Sequence, residues 1–366
     1  MKRLWLLAAV ALLLTGCTRE VDSQWLDADC YRTVQYRSDL ENLRYITGNG
    51  THLVAANITL QDPGKGLYLL TREGDTMTST FLSDYHGLED YGLLGMDGAD
   101  GIWIAGHNQE DHGMALRLDL DGQETLVIDF GPLAMHTGIY AFTWDPEYYY
   151  FLVQFKPASL QDPYETRFLV YDQQGSQIFS QSLPEFCMPS VGFLPREEDW
   201  TEELEGRDED HLMSMLFPEG PTNDVVLIRL QDGTPTALIL RKSPIDGERY
   251  GIICPIGADF SMEPVYYYPV DTTSGMFLGC PVPSPEPEYD LLVANLDGLL
   301  GIQIEEQAAV PLASWDTLDY PGMELAGTYL PDSVLQSALG SDGVWLFRWN
   351  NDAQQYTFFE IRPVIS

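Results

Sequence analysis

Four of the chain's six histidines, His86, His107, His112 and His136, fall within one stretch of the sequence. In the run His107-Asn108-Gln109-Glu110-Asp111-His112, imidazole, amide and carboxylate groups stand side by side. Imidazole ligates transition metals and exchanges a proton near neutrality, so loops that brought these groups together would make a metal site or a general acid and base. Two acidic runs suit a harder cation: Asp97-Gly98-Ala99-Asp100-Gly101 and Asp119-Leu120-Asp121-Gly122 open like calcium loops. Neither continues with the acidic spacing and terminal glutamate of an EF-hand, and both have the composition of hairpin turns. No cofactor is assigned, and Ca²⁺ or another divalent metal stays open.

Other chemistry is sparse. The sequence holds no H-E-x-x-H, no G-x-S-x-G, no phosphate-binding loop and no dinucleotide fingerprint. Among its carboxylates no glycosidase pair stands out, because the deciding quantity is a separation in space. Beyond Cys17 there are Cys30, Cys187, Cys254 and Cys280, without a C-x-x-C. Four cysteines allow three pairings; Cys254 and Cys280 fall in one repeat of the pattern described next and are the first choice for a bridge, with free buried thiols the alternative.

The elements that must position these groups are strands. The chain's 20 Tyr, 15 Phe and 8 Trp with 32 Gly and 23 Pro suit strands and tight turns better than long helices. A unit recurs: a short apolar run, a strand of aromatic and branched residues, another strand, a polar Gly turn and a further strand. Its clearest copy runs Gly92 to Met96, Asp100 to Ala105, Ala115 to Leu118, the turn at Asp121-Gly122, and Thr125 to Ile128. Asp342 to Phe347 repeats the Asp-Gly-x-Trp opening near the C-terminus. Successive Gly turns at 74, 122, 175, 233 and 298 are one unit apart, the spacing expected of β-propeller blades.

This reading places Met188 to Phe193, His211 to Met215, Val225 to Leu230 and Thr236 to Leu240 in a fourth blade. Ile252 to Ile256, Val265 to Tyr268, Leu291 to Ala294 and Gly301 to Ile304 make the fifth. The last unit lacks a strand while Tyr31 to Arg37 lacks a partner, so Tyr31 to Arg37 is expected to pair with Tyr356 to Ile361 and close the ring, removing two edges. The expected fold is an all-β propeller of six blades over residues 31–366. A seventh stays open because Val310 to Pro331 has room for half a unit, and a β-sandwich is the alternative architecture. Glu197 to Asp210, with nine acids, is an insertion; Cys280 to Pro287 reads as a proline-spaced loop. Tyr148 to Tyr150 and Tyr266 to Tyr268 lie in expected strands and are assigned to packing between blades.

The N-terminus carries an address. Lys2 and Arg3 precede the apolar run Leu4 to Leu14, the layout of a cleaved signal peptide over residues 1–16. Leu14-Thr15-Gly16-Cys17 resembles the bacterial lipobox, which implies acylation of Cys17, a tether over residues 17–30 and an extracytoplasmic protein held at the membrane or cell surface by lipid. With its repeats, the chain resembles the propeller-type lipoproteins of bacterial surfaces. Lys plus Arg total 19 against 56 Asp plus Glu, a net charge of −37; loss of Lys2 and Arg3 with the signal leaves −39. Such a body repels phosphate backbones, which argues against nucleic acid, and has no basic face for anionic lipid.

The leading functional expectation is a non-enzymatic binding module for a glycan, a peptide or an envelope protein. The alternatives are a hydrolase or lyase acting on a polysaccharide or lactone, and an accessory subunit of an envelope complex.

Overall fold

The computed structural model describes residues 31–38, 45–57, 66–132, 139–155, 165–182, 225–242, 249–270, 280–284, 286–294, 298–314, 337–339, 344–350 and 355–363. Outside them lie the signal peptide, lipobox and tether, Cys30 and Cys187, His136, and the acidic stretch 197–210. Among the described residues every regular element is a strand, and no helix is long and apolar enough to cross a membrane.

The chain opens with β1 (Tyr31–Ser38), then runs through β2 (Tyr45–Gly48), β3 (Leu53–Asn57), β4 (Gly66–Glu73) and β5 (Thr76–Ser83). Next come β6 (Glu89–Met96), β7 (Ile102–His107), β8 (His112–Leu118) and β9 (Glu124–Pro132), followed by β10 (Ile139–Trp144), β11 (Tyr148–Phe155), β12 (Glu165–Asp172) and β13 (Gln177–Ser182). Then follow β14 (Val225–Arg229), β15 (Pro235–Lys242), β16 (Arg249–Pro255) and β17 (Tyr266–Val270). After these are β18 (Cys280–Pro283), β19 (Leu291–Ala294), β20 (Gly298–Gln303) and β21 (Ala308–Ser314), and finally β22 (Ser337–Leu339), β23 (Val344–Asn350) and β24 (Gln355–Pro363).

Hydrogen bonds join these into four sheets of four strands and one of eight, in the order β2-β3-β4-β5-β1-β24-β23-β22. The middle of that large sheet is thin. β1 pairs antiparallel with β24 from Tyr31 opposite Pro363 to Arg37 opposite Thr357, but meets β5 only through Arg37–Thr76 and Ser38–Met77, in parallel. The inner strands follow one another in a closed cycle, β2 against β6, then β10, β14, β18 and β22, and β22 back against β2.

Side-chain alternation shows why the sheets stand radially. Along β11, Tyr149, Phe151 and Val153 pack with Trp103, Ala115, Ile128 and Phe130 of the preceding sheet. Tyr150 and Leu152, pointing the other way, pack with Val225, Leu227, Ala237 and Ile239 of the next. A strand has period two, so one strand serves two neighbours, which a two-layer sandwich has no use for. Along β3, Val54 and Ala56 face the β6–β9 sheet while Leu53 and Ala55 face Tyr36 and Phe358 of β1 and β24. The architecture is an all-β propeller. Middle strands, covered on both faces, read as continuous apolar runs; β7 (IWIAGH) is buried throughout, whereas the outermost β13 (QIFSQS) is largely exposed.

Several expectations about the fourth and fifth units are corrected. Asp232-Gly233 joins the first and second strands of the β14–β17 sheet, not the third and fourth, so Ile252 to Ile256 belongs to its third strand and Tyr266 to Tyr268 to its fourth. Asp-Gly chemistry specifies a hairpin but not which hairpin of a sheet it is. In the next sheet Leu291–Ala294 is accordingly second, and part of the stretch set aside for a half unit is the fourth strand, β21. Cys280–Pro283, expected as loop, is the innermost strand, where prolines are tolerated because one side of an edge strand has no ladder to lose.

Candidate functional site

Antiparallel pairing puts the first and third turns of each sheet at one end, and the linkers between sheets with the second turn at the other. The two ends are built differently.

At the hairpin end, short side chains lock turns and then bind the neighbouring sheet. Asn49 accepts from the Thr51 and His52 amides, at 3.0 Å each, through Oδ1, while its Nδ2 donates to Asp100 Oδ1 at 2.7 Å. His52 Nδ1 lies 2.9 Å from the same oxygen, and these bonds hold the Asp100 carboxyl below the usual carboxylate range. Asp97, 3% exposed, accepts from the amides of Ala99 and Gly101, from Trp103 Nε1 and from Arg117 Nε at 2.6 Å. A carboxylate so buried is tolerable only with every lone pair engaged. Bonding to Asp97 holds Arg117 more firmly protonated than usual.

The circuit continues around the ring. Trp144 Nε1 donates to the Met96 carbonyl at 2.8 Å, its ring filling the space where a side chain on Gly98 would stand. Thr143 Oγ1 donates to the Ile228 carbonyl at 2.9 Å, and the Arg229 guanidinium lies 3.6 Å from the centre of the Trp144 ring. Burial there lowers the Arg229 pKa. The Gln231 amide donates to the Asp290 carbonyl, the Tyr31 hydroxyl to Glu286, and Arg72 lies 3.0 Å from Glu360, itself 1% exposed and also bonded by the Tyr36 hydroxyl at 2.9 Å. Each step from one inner strand's unit to the next is thus spanned by a polar contact.

Of the predicted histidines, His107 and His112 meet at the linker end and His86 does not join them. His107, 8% exposed, ends β7 and His112 begins β8, with Asn108 closing the turn between them by accepting from the Glu110 and His112 amides. His112 Nδ1 faces Asp129 at 3.3 Å. His86, at φ 51°, instead sets Nε2 2.8 Å from Ser83 Oγ and 3.1 Å from the Gly122 carbonyl, beside the turn at the far end of β8. The length of β8, roughly 20 Å at about 3.3 Å per residue, separates it from His112. His136 lies outside the described residues. Among the described residues no group of three or more His, Cys, Asp and Glu stands close enough to hold a metal ion.

Both calcium-like runs are hairpin turns. Asp119 Oδ1 accepts from the Asp121 and Gln123 amides, and Gly122 takes φ 75° to close the turn, its backbone against Leu82 and Ser83 so that no Cβ fits. Cys254 is buried in β16 opposite Ala237, whereas Cys280 belongs to β18, so the two lie in different sheets rather than one repeat. Tyr149, Tyr150, Tyr266 and Tyr268 are buried between sheets, and burial raises the pKa of each.

The residues that sequence reasoning missed are Arg117, Glu360 and Arg72, and Asp97, read as the start of a cation loop, is instead the buried partner of Arg117. One signal was available. With 19 cationic side chains in 366 residues, an arginine inside a strand is conspicuous; Arg72, Arg117, Arg167 and Arg229 are each matched, three to carboxylates and Arg229 to an indole.

No family model matches the chain, and no curated protein matches it. Among solved structures, it is similar to the α-L-arabinofuranosidase Arb93A of Fusarium graminearum, with 8% identity, 92% of this chain and 98% of that chain covered, and a TM-score of 0.46. It is also similar to the Pan2 WD40 domain of Neurospora crassa, with 9% identity, 92% and 97% covered, and a TM-score of 0.39. An exo-β-1,3-galactanase of Phanerochaete chrysosporium follows with 10% identity and a TM-score of 0.33, over 70% of this chain and 48% of that one. At these scores none of them argues for an activity of this chain.

Proposed function

We propose that this chain is a lipid-anchored, extracytoplasmic propeller of six blades that binds a glycan, peptide or envelope protein at its linker end. The count takes the eight-stranded sheet as two blades, in keeping with the cycle of inner strands from β2 to β22 and the two-residue pairing that joins its halves. Cys17 is the acylated residue in this proposal and residues 17–30 are the tether.

One observation carries the choice of end. At the hairpin end Asn49, Asp97, Thr143 and Trp144 are spent on turns and on the neighbouring sheet, whereas the β7–β8 turn groups the outward Glu110 and Asp111 beside the His112–Asp129 pair. Binding surfaces reside on loops that a rigid scaffold holds, and this turn is such a loop.

A glycan array and a basic-peptide panel applied to the soluble body, residues 18–366, test the reading. Binding that falls at least tenfold in Glu110→Ala/Asp111→Ala and is unchanged in Asp121→Ala supports it; the reverse pattern overturns it. Release of reducing sugar from a bound polysaccharide would establish the hydrolase alternative in its place.

A further inference from the structure

We propose that the anchored ring stands with its hairpin end toward the membrane, held off the bilayer by its own charge, so that the linker end faces outward. This rests on the lipid anchor proposed above and settles which surface a partner meets first.

The geometry of β1 carries the argument. Tyr31, its first residue, sits opposite Pro363 and gives its hydroxyl to Glu286 in the β18–β19 turn, which belongs to the hairpin end. Seven paired positions with β24 and the Tyr36–Glu360 bond fix the strand along its length. The tether therefore leaves the ring at one fixed point, and that point is at the hairpin end.

Residues 18–30 then set the reach. Thirteen residues span at most about 45 Å. Glu73, Asp75, Asp121, Glu147, Asp232 and Asp259 are exposed on hairpin-end turns. Against an anionic bilayer such a surface is repelled over a Debye length, about 8 Å at physiological salt, so the ring does not lie flat.

The test uses the lipidated full-length chain in vesicles of phosphatidylcholine and phosphatidylglycerol containing a rhodamine-labelled lipid. A donor fluorophore is attached at Asp121→Cys or Asp232→Cys for the hairpin end, or at Glu110→Cys for the linker end, with Cys30, Cys187, Cys254 and Cys280 replaced by Ser. Energy transfer at least twofold greater from the hairpin-end sites, rising further at high salt, is expected. Equal transfer, or more from Glu110→Cys, overturns the orientation; transfer that does not respond to salt overturns the stand-off. Flotation separates the two layers of the argument: a chain that does not float with the vesicles, or floats equally well as Cys17→Ser, removes the anchor itself, whereas one that floats with inverted transfer removes only the orientation.

Discussion

Two junctions of the ring solve the same problem with different materials. Between the β10–β13 and β14–β17 sheets the chain connects through residues 183–224, and the junction is sealed by apolar bulk. Leu152, Phe168 and Val170 meet Val225, Ala237 and Ile239, and Phe260 inserts beside Tyr148 and Phe179 with ring centroids 5.4 Å and 5.2 Å away. Between β1 and β5 the chain makes its seam, with two backbone pairs, the Arg37 amide on the Asp75 carbonyl, and Arg72 and Tyr36 bonded to the buried Glu360. The first junction is nondirectional and tolerant. The second is directional and brittle, because a buried carboxylate stripped of its partners has nothing to replace them. Register matters most at the seam, where the two ends of the fold must meet in a single alignment, and polar pairing specifies alignment better than apolar contact does.

Breaking the seam should therefore cost most. Arg72→Ala removes the arginine from the buried Glu360 and should lower unfolding stability by about 3 kcal/mol, at the low end for a broken buried pair because Arg72 is 36% exposed. A shift in the urea midpoint without a change in slope would show it; an unshifted midpoint would disprove the contrast. Phe260→Ala should cost about 2 kcal/mol, below the figure for a fully buried ring because Phe260 is only partly buried. Since Phe260 holds φ 64°, Phe260→Gly should cost less than Phe260→Ala, a reversal of the usual order that sharpens the assignment. Arg229→Ala removes the cation from Trp144 and should cost about 1 kcal/mol, with a change in indole emission as the local readout.

The smallest effect is one of pH. Asp100 has a lowered folded-state pKa, so the stability it contributes is complete above its unfolded value, about 3.9, and disappears as pH falls through the folded value. Asp100→Asn should flatten stability below about pH 4 by well under 1 kcal/mol, since the side chain is 42% exposed. An unchanged acid limb would mean that the bonds from Asn49 and His52 do not persist in solution.

Much of the fold was legible because strands buried on both faces announce themselves: IWIAGH and YYYFLVQF need no alignment to be read. The partnership of Tyr31 to Arg37 with Tyr356 to Ile361 was also readable, since each was a strand in want of an edge. The register of the fourth and fifth units was not, because Asp232-Gly233 looks the same whichever hairpin it closes, and Pro281 and Pro283 disguise β18 as loop. The polar latches were invisible for a different reason. In a chain with 56 carboxylates, nothing local marks Asp97 and Glu360 as buried; their partners are twenty residues away in Arg117 and most of the chain away in Arg72. His86 was drawn into the wrong company because closeness in sequence does not report that the β5–β6 linker packs against the β8–β9 turn of the next sheet.

The antiparallel match of β1 with β24 also bears on the order of events in making the molecule. The segment synthesised early waits, unsatisfied, for the segment synthesised last, so long-range pairing governs completion and the closing step is slow. Until that pairing forms, the sheets make an open arc with β24 exposed as an edge, and the ring gains its last protected edge only when β1 docks.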